Sequence, residues 1–258
     1  MGEGNGGWIW ASIGCMVSSC GFLWMSTRKE DQLKAIQQAK PIEDFTGEAE
    51  LKQEILKAPG RRLYIKGHGN ITSDVPISVK LTDDLSIEAV CTTQEIDNRG
   101  YFIGMDTNQH FKMKNFASDI YIDIAKSSPL SRGLRIYPSD SLVELAEQDL
   151  SIVKKEGLTN SMASHLVSFV GIFYPYSKQI STAFLHNRKN IFFAGDAIEQ
   201  DNRLKLVPPI AWGHPAFFKI QSEQVIEDTL SKQITGLKTA SELTAGVGLI
   251  FMLAHYLS

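Results

Sequence analysis

Two uncharged apolar stretches near opposite ends of the 258-residue chain constrain its fold more than any other feature. "WIWASIGCMVSSCGFLWM", Trp8 to Met25, and "LTAGVGLIFMLAHYLS", Leu243 to Ser258, run for 18 and 16 residues without Asp, Glu, Lys or Arg. A helix rises about 1.5 Å per residue, so about 20 apolar residues cross about 30 Å of hydrocarbon. The first run reaches that length once its uncharged flanks, Gly4 to Thr27, are included. Trp8, Trp10 and Trp24 stand near its ends, where indole rings favour the headgroup region, and Arg28 and Lys29 follow. A cleaved signal peptide competes with this reading, but residues 1–7 carry Glu3 and no Lys or Arg. The second run is shorter and contains His255, which a helix ending three residues later can leave at headgroup depth; an amphipathic or core helix is its alternative. The expectation is a transmembrane anchor over 1–27 and a transmembrane helix over 242–258.

Between the two runs lie about 215 residues of ordinary globular composition, enough to bury a core. The net charge is −3 and no cluster of Lys and Arg is interleaved with aromatics, which argues against nucleic acid as a partner. Residues 28–60 form a helical connector. "RKEDQLKAIQQAKP" places Leu33 and Ile36 on one face before Pro41, and "GEAELKQEILK" does the same with Leu51, Ile55 and Leu56. From Arg61 to Ser241 the pattern is β-rich. "RRLYIKG", "VPISVKL", "LSIEAVCTTQEI", "RGYFIGM", "HFKMKNF" and "DIYIDIAK" are short runs of Ile, Val, Tyr and Phe parted by Gly, Asn and Asp. "PSDSLVELAEQDLSIVKKEG" predicts a helix, with Ser141 and Glu144 at capping-box spacing and Lys154, Lys155 and Gly157 at its end. "SHLVSFVGIFYPY" is too short to span and predicts a buried element. "KNIFFAGDAI" and "RLKLVPPI" predict strands joined by a turn at residues 199–202, followed by "PAFFKI" and a helix capped by Ser222 with Val225, Ile226, Leu230 and Ile234 on one face. Glu242 separates that helix from the terminal run. The fold class is therefore an α+β membrane protein, with a β-rich soluble domain and flanking helices between two transmembrane helices.

No catalytic constellation emerges. Residues 2–7 spell G-x-G-x-x-G, but no strand can precede them. Neither a nucleophile elbow nor a phosphate loop occurs. The six histidines, at 68, 110, 165, 186, 214 and 255, lack metal-ligand spacing, and Cys15, Cys20 and Cys91 support no disulfide framework. Asp196, Glu199 and Asp201 read as turn residues rather than paired carboxylates. Asn70-Ile71-Thr72 reads as an unglycosylated loop. The expected catalytic, cofactor-binding and metal-binding residues are therefore none, and no small-molecule substrate is evident. The expected contact surface lies on the second apolar run. Thr244, Ala245 and Gly248 are i, i+3 and i, i+4 neighbours whose small side chains let another helix approach, with Met252 extending the face and Ile250 and Ala254 turned away. The expected partners are the lipid bilayer and other membrane subunits.

The order of parts resembles that of the organelle-envelope RING-type E3 ubiquitin ligases that carry a GIDE domain. "AFLHNRKNIFFAGDAIEQDNRLKLVPPIAWGHPAFFKIQSEQVIEDTLSK" looks like that family's apolar strand running into Gly-Glu-Ala, a polar turn, a strand ending in Pro, Gly-Pro-Phe and a helix start. Here these stand as Gly195-Asp196-Ala197, Pro208-Pro209 and Gly213 to Phe218. "NFASDIYIDI" and the first span resemble the family more weakly. The resemblance implies an N-terminal span, a β-rich domain and a second span, in the outer membrane of mitochondria or the envelope of chloroplasts. It places the domain in the intermembrane space, whereas Arg28, Lys29, Lys34 and Lys40 would draw it to the positive side. A RING finger needs about eight Cys and His ligands in close pairs, and these three cysteines cannot supply them. Ligase activity therefore does not carry over. The expectation is a natural RING-less relative acting as a non-catalytic accessory subunit; the alternatives are the membrane-anchored part of a ligase whose RING lies elsewhere, and an enzyme with an unrecognised site.

Overall fold

A computed structural model describes residues 6–80, 85–103, 105–124, 134–145, 150–157 and 174–257. The chain is α+β, with a β-rich core and a long helix at each terminus. Helix α1 covers Gly6–Gln38. It continues straight through the stretch expected to be a separate amphipathic helix, because no glycine or proline falls between Met25 and Gln38 to break it. After it come β1 (Lys40–Pro41), α2 (Glu48–Lys57), β2 (Leu63–Val75), β3 (Ile77–Lys80), β4 (Ser86–Phe102), β5 (Met105–Phe116), β6 (Ser118–Ile124) and β7 (Leu134–Pro138). The rest is α3 (Asp140–Val143), β8 (Leu150–Gly157), β9 (Tyr174–His186), β10 (Lys189–Gln200), β11 (Arg203–Val207), β12 (Phe217–Lys219) and a final helix, α4, over Glu223–Leu257.

Five strands close on themselves in the order β2-β6-β7-β11-β10, with β10 returning to β2, while β1 and β12 extend the sheet beside them. Alternation sends Ile65 and Ile71 of β2, Ile122 and Ile124 of β6, Ile136 of β7, Ile191 and Phe193 of β10 and Leu206 of β11 into one buried cluster. So small a barrel leaves little room at its centre. Gly67 lies opposite Phe193, and a side chain at Gly67 would collide with Ile42, as one at Gly69 would with Ile122. Ile42, Phe45, Leu51 and Ile55 on one stretch, and Leu142 and Val143 of α3, complete the same cluster. The outward side of β10 is also covered. Phe192 and Ala194 pack with Ile36 of α1 and with Ile226 and Leu230 of α4, so both terminal helices rest on one flank of the barrel.

The remaining strands form a second, open antiparallel sheet in the order β3-β4-β9-β8, with β5 also on β4. Its base is packed through Val90, Cys91 and Leu185 against the barrel and through Val79, Ala89 and Phe184. Beyond that it projects as an arm, paired from Cys91↔Phe116 out to Phe102↔Met105. "RGYFIGM" is therefore the end of this hairpin rather than a separate strand.

Several expectations are corrected. The helix expected over 138–157 is one turn, α3, followed later by a strand: Leu150–Gly157 pairs with β9, and that edge outcompetes helical propensity. The residue flanking α3 is Ser139, so the Ser141–Glu144 capping box does not form. Asn70 to Thr72 lie within β2, paired with β6, and are no loop. Val225 is exposed while Ile226, Leu230 and Ile234 are buried. Glu242 does not separate two helices; it is an exposed residue on unbroken α4. "SHLVSFVGIFYPY" lies outside the described residues except Tyr174 to Tyr176, which begin β9.

Candidate functional site

The apolar parts of α1 and α4 pack antiparallel on each other, as three points of contact establish. Ser12 Oγ donates to the Gly248 carbonyl at 2.9 Å. Seven residues along α1, Ser19 Oγ donates to the Ser241 carbonyl at 2.9 Å and Ser241 Oγ donates to the Ser19 carbonyl at 3.0 Å. At the far end, the rings of Trp8 and Phe251 lie 5.6 Å apart. The seam is made of small residues for a geometric reason. A Cβ on Gly248 would stand 3.1 Å from Cys15 Cβ and 3.4 Å from the Ser12 carbonyl oxygen, so a larger residue would push the backbones apart and break both serine contacts. Nearer the barrel, Lys238 Nζ meets Glu30 Oε1 at 2.6 Å across the pair.

Of the residues expected on this face, Gly248 is buried against α1, and Thr244 and Ala245 are half-buried. Thr244 turns its hydroxyl onto its own helix, donating to the Ala240 carbonyl at 2.6 Å. Met252 is exposed rather than an extension of the face; Phe251 takes that role, because the i+3 step from Gly248 and not the i+4 step points at Trp8. Ile250 is exposed, Ala254 half-buried. Ser241 and the partner serines on α1 were not among the expected residues, since serine inside an apolar run gives no sign of its direction until the other helix is placed.

Where the two helices leave their apolar runs, a loop reaches them from the barrel. It runs from Pro208 to Ala216 and is held from below. Asp196, buried in the body of β10 and not at a turn, pairs with Arg62 Nε at 2.8 Å. Arg62 also donates to the Pro208 carbonyl at 3.0 Å, and Asp196 Oδ2 accepts from the Ile210 amide at 3.4 Å. The Tyr64 hydroxyl donates to the Pro215 carbonyl at 2.8 Å, with its ring 4.5 Å from that of His214. Burial, and secondarily the Asp196 charge, pushes the Tyr64 hydroxyl well above the ordinary tyrosine range, which keeps it a donor. Gly213 adopts φ +83°, and its Cβ position would lie 3.3 Å from Asp31 Cβ, so the loop comes against α1 there. The Arg28 guanidinium lies 5.2 Å from the Trp212 ring and 5.7 Å from the Trp24 ring. A groove of about 650 Å³ opens beside it, lined in part by Trp24, Met25, Arg28 and Leu237.

The carboxylates near the β10–β11 turn do not pair with one another. The turn itself is Asp201-Asn202, both at positive φ, as a two-residue hairpin requires. Glu199 instead meets Lys52 Nζ at 3.3 Å, and Glu48 joins it at 3.0 Å; the hydrogen bond to Glu48 leads in raising the lysine's pKa. His110 pairs with Asp97 on the arm at 2.7 Å, and His165 lies outside the described residues. Among the described residues, no three His, Cys, Asp or Glu side chains gather where a metal ion could be held.

Comparison with models of protein families, with curated proteins and with solved structures gives no match.

Proposed function

We propose that this chain is a two-span integral membrane protein whose β-rich domain is a non-catalytic binding or structural module. In this reading it serves as an accessory subunit of a membrane assembly. The observation that carries the proposal is the unpartnered apolar surface of the helix pair. Both helices are long and apolar enough to cross a membrane, yet only 11% of each apolar stretch is buried. A core helix would be mostly buried, and in water each exposed leucine or isoleucine forgoes about 1.5–3 kcal/mol of burial. Trp10, Val17, Leu23, Leu249, Ile250 and Leu253 all face outward, and a bilayer solvates them all. A signal peptide has no structural partner, whereas α1 is joined to α4 by reciprocal serine hydrogen bonds.

The arm supports the binding role. One of its faces carries ion pairs, Lys112 with Glu95 and His110 with Asp97. The other aligns Phe111, Ile96 and Ile180 across three strands, with Met113 next in line and Phe102, Ile103 and Met105 exposed at the tip. Such apolar exposure, on a sheet with no covering layer among the described residues, suits a protein partner. The GIDE-like order of parts supports placement in a mitochondrial or chloroplast envelope, with the domain in the intermembrane space. Alkaline carbonate should leave the protein in the pellet, and deletion of residues 1–27 should leave it membrane-bound through α4; full extraction of the intact chain would sink the reading. For the module, Phe102→Asp with Met105→Asp should shift the native complex to smaller size with membrane retention unchanged, and an unaltered complex would remove the arm from the proposal.

A further inference from the structure

Ile210 and Trp212 are 75% and 76% exposed, yet they stand on a loop fixed by Arg62, Asp196 and Tyr64. The backbone thus holds an isoleucine and a tryptophan outward from a rigid support. Their position explains why. The charged residues nearest the apolar runs are Arg28 on α1 and Glu242 and Lys238 on α4, and they bracket the level at which the helix pair leaves hydrocarbon. Trp24 falls inside that bracket, because Ser19 is level with Ser241 and Glu30 meets Lys238. Side chains on a helix lean toward its N-terminus, so Arg28 turns back over Trp24 and brings its guanidinium to that level. Trp212 lies against the same guanidinium. Glu242, which stands level with Ser18 by the Ser19–Ser241 contact, sets the hydrocarbon edge there, and a headgroup region about 5–8 Å deep beyond it takes in the Trp24 indole, which leans back toward that edge from its Cα about 9 Å above.

We infer that the 208–213 loop is a third membrane contact: Trp212 and Ile210 sit among the phospholipid headgroups of the leaflet at which α1 and α4 meet the barrel, with Arg28 between two indoles to engage lipid phosphate. This rests on the two-span reading above. It differs from the spans in kind, since the loop enters no hydrocarbon core and instead fixes the barrel against the bilayer surface. Indole at the interface and a guanidinium beside phosphate are both favoured there.

The test uses the full chain in phosphatidylcholine vesicles and the fluorescence of its four tryptophans. Trp24 and Trp212 are each isolated as the difference between wild type and the single Trp→Phe variant; both side chains are largely exposed, so the fold is preserved. Nitroxide placed on the headgroup should quench Trp212 to about half the extent of Trp24 or more, as two interfacial indoles should be, and both should resist aqueous iodide. Trp24 quenched by nitroxide while Trp212 responds only to iodide would overturn the inference and leave the spans intact; that result would point to water or a protein partner over the loop. Neither residue quenched by lipid nitroxide would overturn the two-span reading and this inference with it. Ile210→Asp adds a readout on folded protein, because the emission of Trp212 should shift to the red in vesicles and stay unchanged in lipid-free detergent.

Discussion

In the barrel, Gly67 and Gly69 leave space for the side chains of Ile42 and Ile122, while between α1 and α4 Gly248 leaves space for a backbone. The same residue answers two packing problems set by two surroundings. The barrel is driven by removing Ile, Leu and Phe from water, so its glycines matter because large side chains must interdigitate in a narrow ring. The helix pair has no such drive if lipid surrounds it, since a leucine is as well solvated by acyl chains as by another leucine. What remains is close backbone approach and the serine hydrogen bonds, and both vanish once the helices separate. One region is held by the volume it fills and the other by the distance it keeps.

That contrast orders the effects of substitution. Phe193→Ala empties the space over Gly67 and should cost about 3–5 kcal/mol, read as a large fall in the thermal midpoint of the β-domain in detergent. Gly248→Leu should cost about 1–2 kcal/mol, the scale of an overpacked contact, with the loss seen as separation of the two helices by cross-linking. Ile250→Ala, at a position 64% exposed, is the control and should leave cross-linking unchanged; reversal of the two would assign the wrong face. The smallest effect belongs to the Ser19–Ser241 pair, where a double-mutant cycle with alanine should give a coupling of about 0.6 kcal/mol. A coupling near zero would sharpen the contrast by leaving backbone approach as the sole glue.

The local patterns were legible where a period was strict. β2 alternates cleanly between the barrel interior and its surface, and both apolar runs are helical, whereas β10 is an unbroken buried stretch because the terminal helices cover its outer side. Patterns failed where a distant partner decided the outcome. "LSIVKKEG" has the composition of a helix end, and the open edge of β9 makes it a strand. Asp196 reads as part of a polar turn, but its partner Arg62 lies 134 positions away and gives no local trace. Thr244, Ala245 and Gly248 could be grouped by helical spacing alone, whereas Ser12, Ser19 and Ser241 became visible as contacts only once α1 and α4 were brought side by side. The 208–216 loop shows three prolines and a glycine in sequence; the three supports that fix it come from elsewhere, Tyr64 on β2, Arg62 just before β2 and Asp196 on β10.

Neither terminal helix changes direction between its apolar run and the barrel. α1 continues from Met25 through Ile36, and α4 arrives at the apolar run from Ile226 and Leu230, all three of which are wedged against β10. The pair is therefore a lever without a joint. About 13 residues of α1 stand between its apolar run and its end, a shaft of roughly 20 Å. A change of 20° in tilt, well inside the range that bilayer thickness imposes, would swing the barrel end by about 7 Å. In the two-span reading, membrane thickness would thus bear on the height and heading of the β-arm, and the 208–213 loop, set against the bilayer surface, would limit how far the barrel follows.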